Sequence, residues 1–310
     1  MRLSVVIPVH DEEENVVRLF PRIEEACAPL GIPYEVIFVD DASKDATWER
    51  LEALEPTSAE LVLVRLRRNA GQTPAMAAGF EAARGEIVVS MDGDLQNDPA
   101  DIPALLEKCA EGYDLVCGWR KNRQDKLWSR KIPSKCANWL IRKVTGVTVH
   151  DYGCSLKAYR RGLVSRMRLY SDMHRFLPFL SQQVGAHVGE IVVRHHARTF
   201  GRTKYGLSRT WKVLVDLLSL KVLVHYYRRL FLWFMGMALP LFAGFALLLG
   251  ATLLSSAEHR QVLLGATVLV GGLGVFTGFL GLLGDMVLRF HWDELDRLLV
   301  RDARSGETAP

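Results

Sequence analysis

The stretch that decides the fold is "EIVVSMDGDLQND", residues 86–98. Ile87, Val88 and Val89 are consecutive apolar residues, the pattern of a strand buried on both faces. The chain then turns acidic, with Asp92 and Asp94 one glycine apart and Gln96 two residues on. Two ionised carboxylates so close repel each other, and each must stay hydrated or meet a cation. A solvated turn ahead of a helix explains the acids taken alone. A metal site explains them together with Gln96, because Mg²⁺ and Mn²⁺ take oxygen ligands and share their coordination with water and phosphate. Strand alternation points Asp92, Asp94 and Gln96 to one side, provided the extended geometry continues past the strand.

Working outward, "LSVVIPV" (3–9), "YEVIFVDD" (34–41) and "ELVLVRL" (60–66) are further short apolar runs. Between them, "EENVVRLFPRIEEACA" (13–28), "DATWERLEAL" (45–54) and "GQTPAMAAGFEAAR" (71–84) carry helical spacing. Strands alternating with helices predict an α/β domain with a mostly parallel sheet covered on both faces. Ligands of such open sheets sit at the carboxyl ends of strands. Asp40–Asp41 and Asp92–Asp94 both fall at strand ends, so the two acidic pairs are expected to share one crevice. Asp41 or Ser43 also suits the cap of the following helix, with Asp45 near its positive end. Asp40 then still needs a partner, such as a nucleobase imide or a ribose hydroxyl. Asp98–Pro99 reads as an N-cap and first helical residue before "ADIPALLEKCAEG" (100–112). A strand "DLVCGW" (114–119) and a helix "CANWLIRKVTG" (136–146) follow; 149–202 is mixed, with His195–His196 read as strand residues.

The whole-chain averages are ordinary: 310 residues, 49% hydrophobic, 24% charged, net charge +4. They conceal two unlike parts. Leu230–Ala257 contains no charged residue, and none appears between Arg260 and Asp285. Each run exceeds the roughly 20 apolar residues that cross a bilayer. Neither run is N-terminal, which excludes a signal peptide as its explanation. The expected organisation is a catalytic domain at 1–207, amphipathic interfacial helices at 208–229 and a hairpin at 230–285, followed by a tail at 286–310. The hairpin's spans are read as about 230–255 and 262–284. Basic flanks at "HYYRRL" and "LRFHWDELDRLLVR" favour both termini, and so the catalytic domain, on the cytoplasmic side. Thr267, Gly271, Gly274, Gly278, Gly281 and Asp285 fall on one face of the second span, suited to packing within the hairpin or between subunits. Cysteines 27, 109, 117, 136 and 154 form no Cys-x-x-Cys pair, which fits reduced thiols.

The basic segment "RKNRQDKLWSRKIPSK" (120–135) holds one acid among its cations. Arginine forks match phosphate geometry. For a membrane-anchored chain the nearer phosphate is a lipid's, and no nucleic-acid partner is expected. "RHHARTFGRTKYG" (194–206) adds cations beside glycines, as in a loop able to close over an anion.

Taken together, "VVIPVHDEEENV", "EVIFVDDASKDAT", "RNAGQTPAMAAGF", "MDGDLQNDP", "RKNRQDKLWSRKIPSK", "DYGCSLKAYRR" and "FGRTKY" resemble the GT-A-fold glycosyltransferases of family 2 that move a sugar from a nucleotide onto a polyprenyl phosphate. The resemblance spans almost the whole chain, hairpin included. It is greatest to the bacterial undecaprenyl-phosphate formamido-arabinose transferases of lipid A modification, and dolichyl-phosphate mannose synthases are more distant. It implies a nucleotide pocket at Pro8, Asp40 and Asp41, with Asp92 reaching it, and a metal and diphosphate site at Asp92, Asp94 and Gln96. It implies an acceptor-phosphate site at Arg120, Arg130 and Ser134, and a loop carrying Arg198 and Lys204 that closes over the phosphates. The expected cofactor is Mg²⁺ or Mn²⁺, the donor a UDP-sugar and the acceptor undecaprenyl phosphate. A homo-oligomer, a tetramer as in relatives, and inversion at the anomeric carbon are further implications. His10–Asp11 in place of Tyr–Asn and Ala42 in place of Gly depart from the family pattern near the nucleotide pocket. Two other functions fit the sequence less well. A processive polysaccharide synthase would carry Gln-x-x-Arg-Trp and more spans, and this sequence has neither. A silent sugar-nucleotide-binding scaffold would not require the complete acidic set.

Overall fold

The computed structural model describes residues 2–121, 149–165, 177–183, 185–197 and 230–290, and the chain divides into two compact units, Met1–Asp216 and Leu217–Pro310. The first unit is built on seven strands: β1 (Leu3–Val9), β2 (Tyr34–Asp40), β3 (Glu60–Arg65), β4 (Ile87–Ser90), β5 (Leu115–Trp119), β6 (Lys157–Arg160) and β7 (Val188–Val192). Their order across the sheet is β3-β2-β1-β4-β6-β5-β7. The pairs β1–β2, β1–β4, β2–β3 and β5–β7 are parallel, and β6 runs antiparallel to β4 and β5. The sheet is therefore mixed. The amino end of β6 joins the carboxyl ends of its neighbours on one edge, with Lys157 opposite Ser90 and Cys117.

Both faces are covered, as the uninterrupted apolar runs predict. On one face Val5, Ile7, Val36 and Phe38 pack with Val16, Leu19 and Phe20 of α1 (Glu13–Cys27) and Leu105 of α4 (Ile102–Ala110). On the other, Val6, Ile37, Val39 and Val88 meet Ala75 of α3 (Gln72–Ala82). Each such side chain buried contributes about 1.5–3 kcal/mol. β2 is buried along its whole length, so the carboxylates at its two ends both need partners. Glu35, at the far end from the crevice, accepts from Ser4 Oγ (2.6 Å) and from the Arg84 backbone N–H (2.7 Å) and Nε (3.1 Å). Burial raises its pKa, but these bonds prevail and leave it lowered. α2 (Thr47–Glu52), α5 (Arg161–Val164) and α6 (Leu177–Gln183) complete the described part of this unit. Asp98 caps the turn ahead of α4 as expected, accepting from Ala100 N at 3.1 Å.

The second unit is a helical hairpin, α7 (Leu230–Leu254) and α8 (Ala257–Phe290). Both helices are long and apolar enough to cross a membrane. The connection is shorter than the sequence suggests: only Ser255 and Ser256 interrupt the helices, and Glu258, His259 and Arg260 already lie in the first turns of α8. The expected interfacial helices at 208–229 and most of the tail lie outside the described residues.

The glycine face of α8 is used inside the hairpin. A Cβ on Gly271 would stand 2.6 Å from the Phe245 ring, one on Gly281 2.5 Å from Phe234 Cβ, and one on Gly284 2.6 Å from Leu230. Thr267 is buried beside Thr252, their hydroxyls 3.1 Å apart. Small residues let the backbones approach, and the aromatic residues of α7 fill the space. Gly281→Leu is expected to lower the thermal midpoint of the detergent-solubilised protein, an overpacking cost of about 1–3 kcal/mol. Gly272→Leu, where a Cβ meets nothing within 4 Å, should leave the midpoint close to wild type. Equal effects would contradict this packing.

Candidate active site

The carboxyl ends of β1, β2, β4 and β5 lie on the same edge as the amino end of β6, and the sequence-predicted acids gather there. Asp40, at the end of β2, is fully buried. Its Oδ1 accepts from the Ser43 backbone N–H at 3.0 Å and from the Ser43 hydroxyl. Arg65 Nε stands 3.2 Å from Oδ2 as an ion pair, without the alignment of a hydrogen bond. Asp41 accepts from the N–H groups of Ala70 (2.7 Å) and Gly71 (2.8 Å), which ties the end of β2 to the entry of α3. The helix after this turn is served by Asp45, not by Asp41 or Ser43: Asp45 Oδ1 accepts from Thr47 N at 3.0 Å.

Of the two departures from the family pattern, Ala42 sits in this turn, and His10–Asp11 follows β1 beside it. Ala42 has φ +53°, a left-handed conformation that costs a residue with a Cβ about 1–2 kcal/mol, which explains why glycine is the usual occupant. His10 Nε2 is 2.8 Å from Asn69 Nδ2, and Asp11 Oδ1 accepts from Lys44 N at 2.8 Å. Pro8 is half-buried in β1, opposite Val39 of β2.

β4 ends at Ser90, and the extended geometry does not continue. Leu95 has φ +61° and Asp94 Oδ1 accepts from Gln96 N at 3.1 Å, so Asp92, Asp94 and Gln96 lie on a tight turn. Simple alternation does not describe this segment. Gly93 sets its position: a Cβ there would lie 2.7 Å from Val9 Cγ1, so only glycine lets the two acids sit directly over β1. Asp92 is half-buried and accepts from Gln72 Nε2 at 2.6 Å. The turn is held from behind by the strap after β7. Asn97 forms an antiparallel bridge with His195, and Gln96 O accepts from His196 N at 2.9 Å. His196 Nε2 is 3.1 Å from Asp98 Oδ2. Burial raises the Asp98 pKa, but this contact, the Ala100 N–H and Arg194 outweigh it and lower it.

Arg120 follows β5 and is gripped by Asp151: Nε is 2.7 Å from Oδ2 and Nη2 is 3.0 Å from Oδ1. Both side chains are nearly buried. Burial opposes the charge, yet Asp151 overcomes it and raises the Arg120 pKa, and Asp92 acts in the same direction. Behind this pair, the Asp151 N–H donates to Glu190 Oε1 at 3.2 Å, and His150 stacks on Trp119 at 4.3 Å. Lys157 is buried beside the same edge, its Nζ donating to Cys154 O.

Of the residues singled out from sequence, the edge therefore brings together Pro8, Asp40, Asp41, Asp92, Asp94, Gln96 and Arg120. Arg130, Ser134, Arg198 and Lys204 lie outside the described residues. Sequence reasoning missed Gln72 and Asp151 as contacts of this site. Both lie in motif stretches, but only tertiary contact reveals their partners. Among the described residues no group of three or more His, Cys, Asp or Glu side chains is gathered closely enough to hold an ion. The oxygen set here is two carboxylates and an amide, Asp92, Asp94 and Gln96, on a turn seated over β1 by Gly93. All three are hard donors, which fits a partial Mg²⁺ or Mn²⁺ shell that phosphate oxygens and water complete.

A mixed sheet with acidic turns at its carboxyl edge is the GT-A architecture of nucleotide-sugar transferases. The crystal structure of glucosyl-3-phosphoglycerate synthase from Mycobacterium tuberculosis with Mn²⁺ and UDP-glucose shares the fold, with TM-score 0.54 and 20% identity over 71% of this chain and 78% of that one. Glycosyl transferase family 2 matches residues 4–168, and the chain belongs to that family. It is 40% identical to the dodecaprenyl-phosphate galacturonate synthase of Rhizobium johnstonii, over 94% of this chain and 89% of the relative. Identity is also 40% to the undecaprenyl-phosphate 4-deoxy-4-formamido-L-arabinose transferase of Pseudomonas paraeruginosa, over 94% and 86%.

Removing one partner of a buried ion pair costs about 3–5 kcal/mol. Asp151→Asn is therefore expected to lower the unfolding midpoint markedly. Glu111→Gln, which removes an exposed partner of Lys108, should cost at most about 1 kcal/mol. Comparable midpoints for the two variants in a thermal melt would show that Arg120 does not depend on Asp151.

Proposed function

We propose that this family 2 glycosyltransferase moves a sugar from a UDP-sugar onto undecaprenyl phosphate at the cytoplasmic membrane face, with Mg²⁺ or Mn²⁺, yielding a lipid-linked sugar for envelope glycan or lipid A modification. The observation that carries the reading is that the Asp92–Asp94 turn, after β4, and the Asp151-held Arg120, after β5, lie at the same carboxyl edge of the sheet. Acceptor class is supported by the relatives, both named for a polyprenyl phosphate. This chain is accordingly a polyprenyl-phosphate glycosyltransferase.

In this reading Pro8, Asp40 and Asp41 line the nucleotide pocket, with Asp40 shaping it through the Ser43 turn. Asp92, Asp94 and Gln96 would hold the cation, which when bound supplies positive charge to the leaving diphosphate. Arg120, with Arg130 and Ser134, orients the acceptor phosphate, and Arg198 and Lys204 cover the phosphates. The acceptor is a phosphate monoester whose second pKa of about 6 leaves it largely dianionic at neutral pH. It needs orientation and exclusion of water more than a general base, and none is assigned. Inversion at the anomeric carbon follows if the acceptor oxygen attacks opposite the diphosphate. α7 and α8 act as membrane spans that anchor the catalytic domain to the bilayer. Self-association as a homo-oligomer, a tetramer as in relatives, belongs to the same proposal, without support from Gly271, Gly274, Gly278 and Gly281, which face α7.

The test is to incubate the purified protein with undecaprenyl phosphate, Mn²⁺ or Mg²⁺ and a panel of UDP- and GDP-sugars, then weigh the lipids. One UDP-sugar should give a heavier lipid, EDTA should abolish it, and Asp94→Ala should reduce turnover by about 100-fold or more. Product that persists with EDTA and with Asp94→Ala would overturn the cation assignment. Absence of lipid product with every donor points to a sugar outside the panel or to the silent scaffold, and nucleotide binding that still requires metal favours the former.

A further inference from the structure

We propose that Gln72 is a positioning residue for the cation: its side-chain amide fixes Asp92 in the orientation that presents a carboxylate oxygen to the metal. This rests on the metal-dependent reading above and extends it to a residue outside the acidic motif. Gln72 Nε2 lies 2.6 Å from Asp92 Oδ1, across 20 residues of sequence. An ionised carboxylate only accepts hydrogen bonds, so the amide must turn its NH₂ group toward Asp92. One carboxylate oxygen is thereby engaged and the rotation of the group is restrained. Asp92 needs such restraint because β4 has already ended, at Ser90, two residues before it.

Gln72 is itself well held. It is the first residue of α3, directly after Gly71 at φ +95°, where residues with a Cβ are disfavoured. The N–H groups of Ala70 and Gly71 are bound by the two oxygens of Asp41. A continuous link therefore runs from Asp41 at the end of β2, through the α3 entry, to Asp92 after β4. It joins the two acidic strand ends by hydrogen bonds that neither motif shows alone. Hydrogen bonds to a ligating group from outside the ligand set orient the ligand, and their loss typically weakens metal affinity about 10–100-fold.

The experiment measures Mn²⁺ binding to the full-length protein, with and without UDP, by the loss of the free Mn²⁺ electron paramagnetic resonance signal. Gln72→Met keeps the length and helix preference of the side chain without its amide. Gln72→Asn keeps an amide one methylene too short to reach. Both are expected to weaken Mn²⁺ binding about tenfold or more, with kcat largely recovered at saturating Mn²⁺ and the metal-free affinity for UDP unchanged. Wild-type Mn²⁺ affinity in either folded variant would overturn the role of Gln72. A weaker UDP affinity without metal, or a kcat that added Mn²⁺ does not recover, would overturn it in favour of general damage to the crevice. If the wild-type protein itself binds no Mn²⁺, the cation assignment fails and this inference fails with it.

Discussion

A carboxylate at the end of a buried strand must be met by hydrogen-bond donors or by opposite charge, and that requirement organises this whole edge of the sheet. Asp40 is met by Ser43 and Arg65, Asp41 by the amides of Ala70 and Gly71, Asp92 by Gln72, and Asp94 by the amide of Gln96. Asp151 is met by Arg120. The contacts of Asp41, Asp92 and Asp151, and that of Asp40 with Arg65, tie a strand end to a segment from elsewhere in the chain, whereas Asp40–Ser43 and Asp94–Gln96 close their own turns. The acids therefore fix the turns that carry them, and in the proposed reaction they also concentrate negative charge where a cation would meet phosphates. Hydrogen bonds to charged groups are worth about 1.5–3 kcal/mol each, so the set is a large part of what keeps the edge in one arrangement.

The strand–helix alternation and the acidic strand ends were legible in the sequence because both follow from local patterns. Val5–Ile7, Val36–Val39 and Ile87–Val89 are apolar on both faces, and only a doubly covered sheet accommodates that. The antiparallel course of β6 was not legible. "LKAYR" carries no mark of direction, and its pairing with β4 and β5 is set by tertiary contacts. At Asp92–Gln96 the period-two expectation gave way because Gly93 must pass against Val9 and Leu95 turns left-handed. The partners Gln72 and Asp151 lie 20 and 31 residues from Asp92 and Arg120. No spacing rule reaches so far.

The hairpin teaches a related lesson. Its small residues were readable as a packing face, but what they pack against was not. Phe234, Phe242 and Phe245 of α7 occupy the grooves beside Gly281, Gly274 and Gly271. The face is consumed within one chain, and the apolar surface left outward, such as Leu247, Val262 and Leu269, suits a hydrocarbon environment.

Whether the acidic turn after β4 holds the cation is decided by locating the metal. A structure of the full-length protein with Mn²⁺ and UDP, recorded with anomalous scattering at the manganese edge, would reveal the ion itself. The expected result is a peak at Asp92 or Asp94, beside the diphosphate of UDP. A peak bound elsewhere, or UDP seated at the edge with no manganese beside either aspartate, would contradict it.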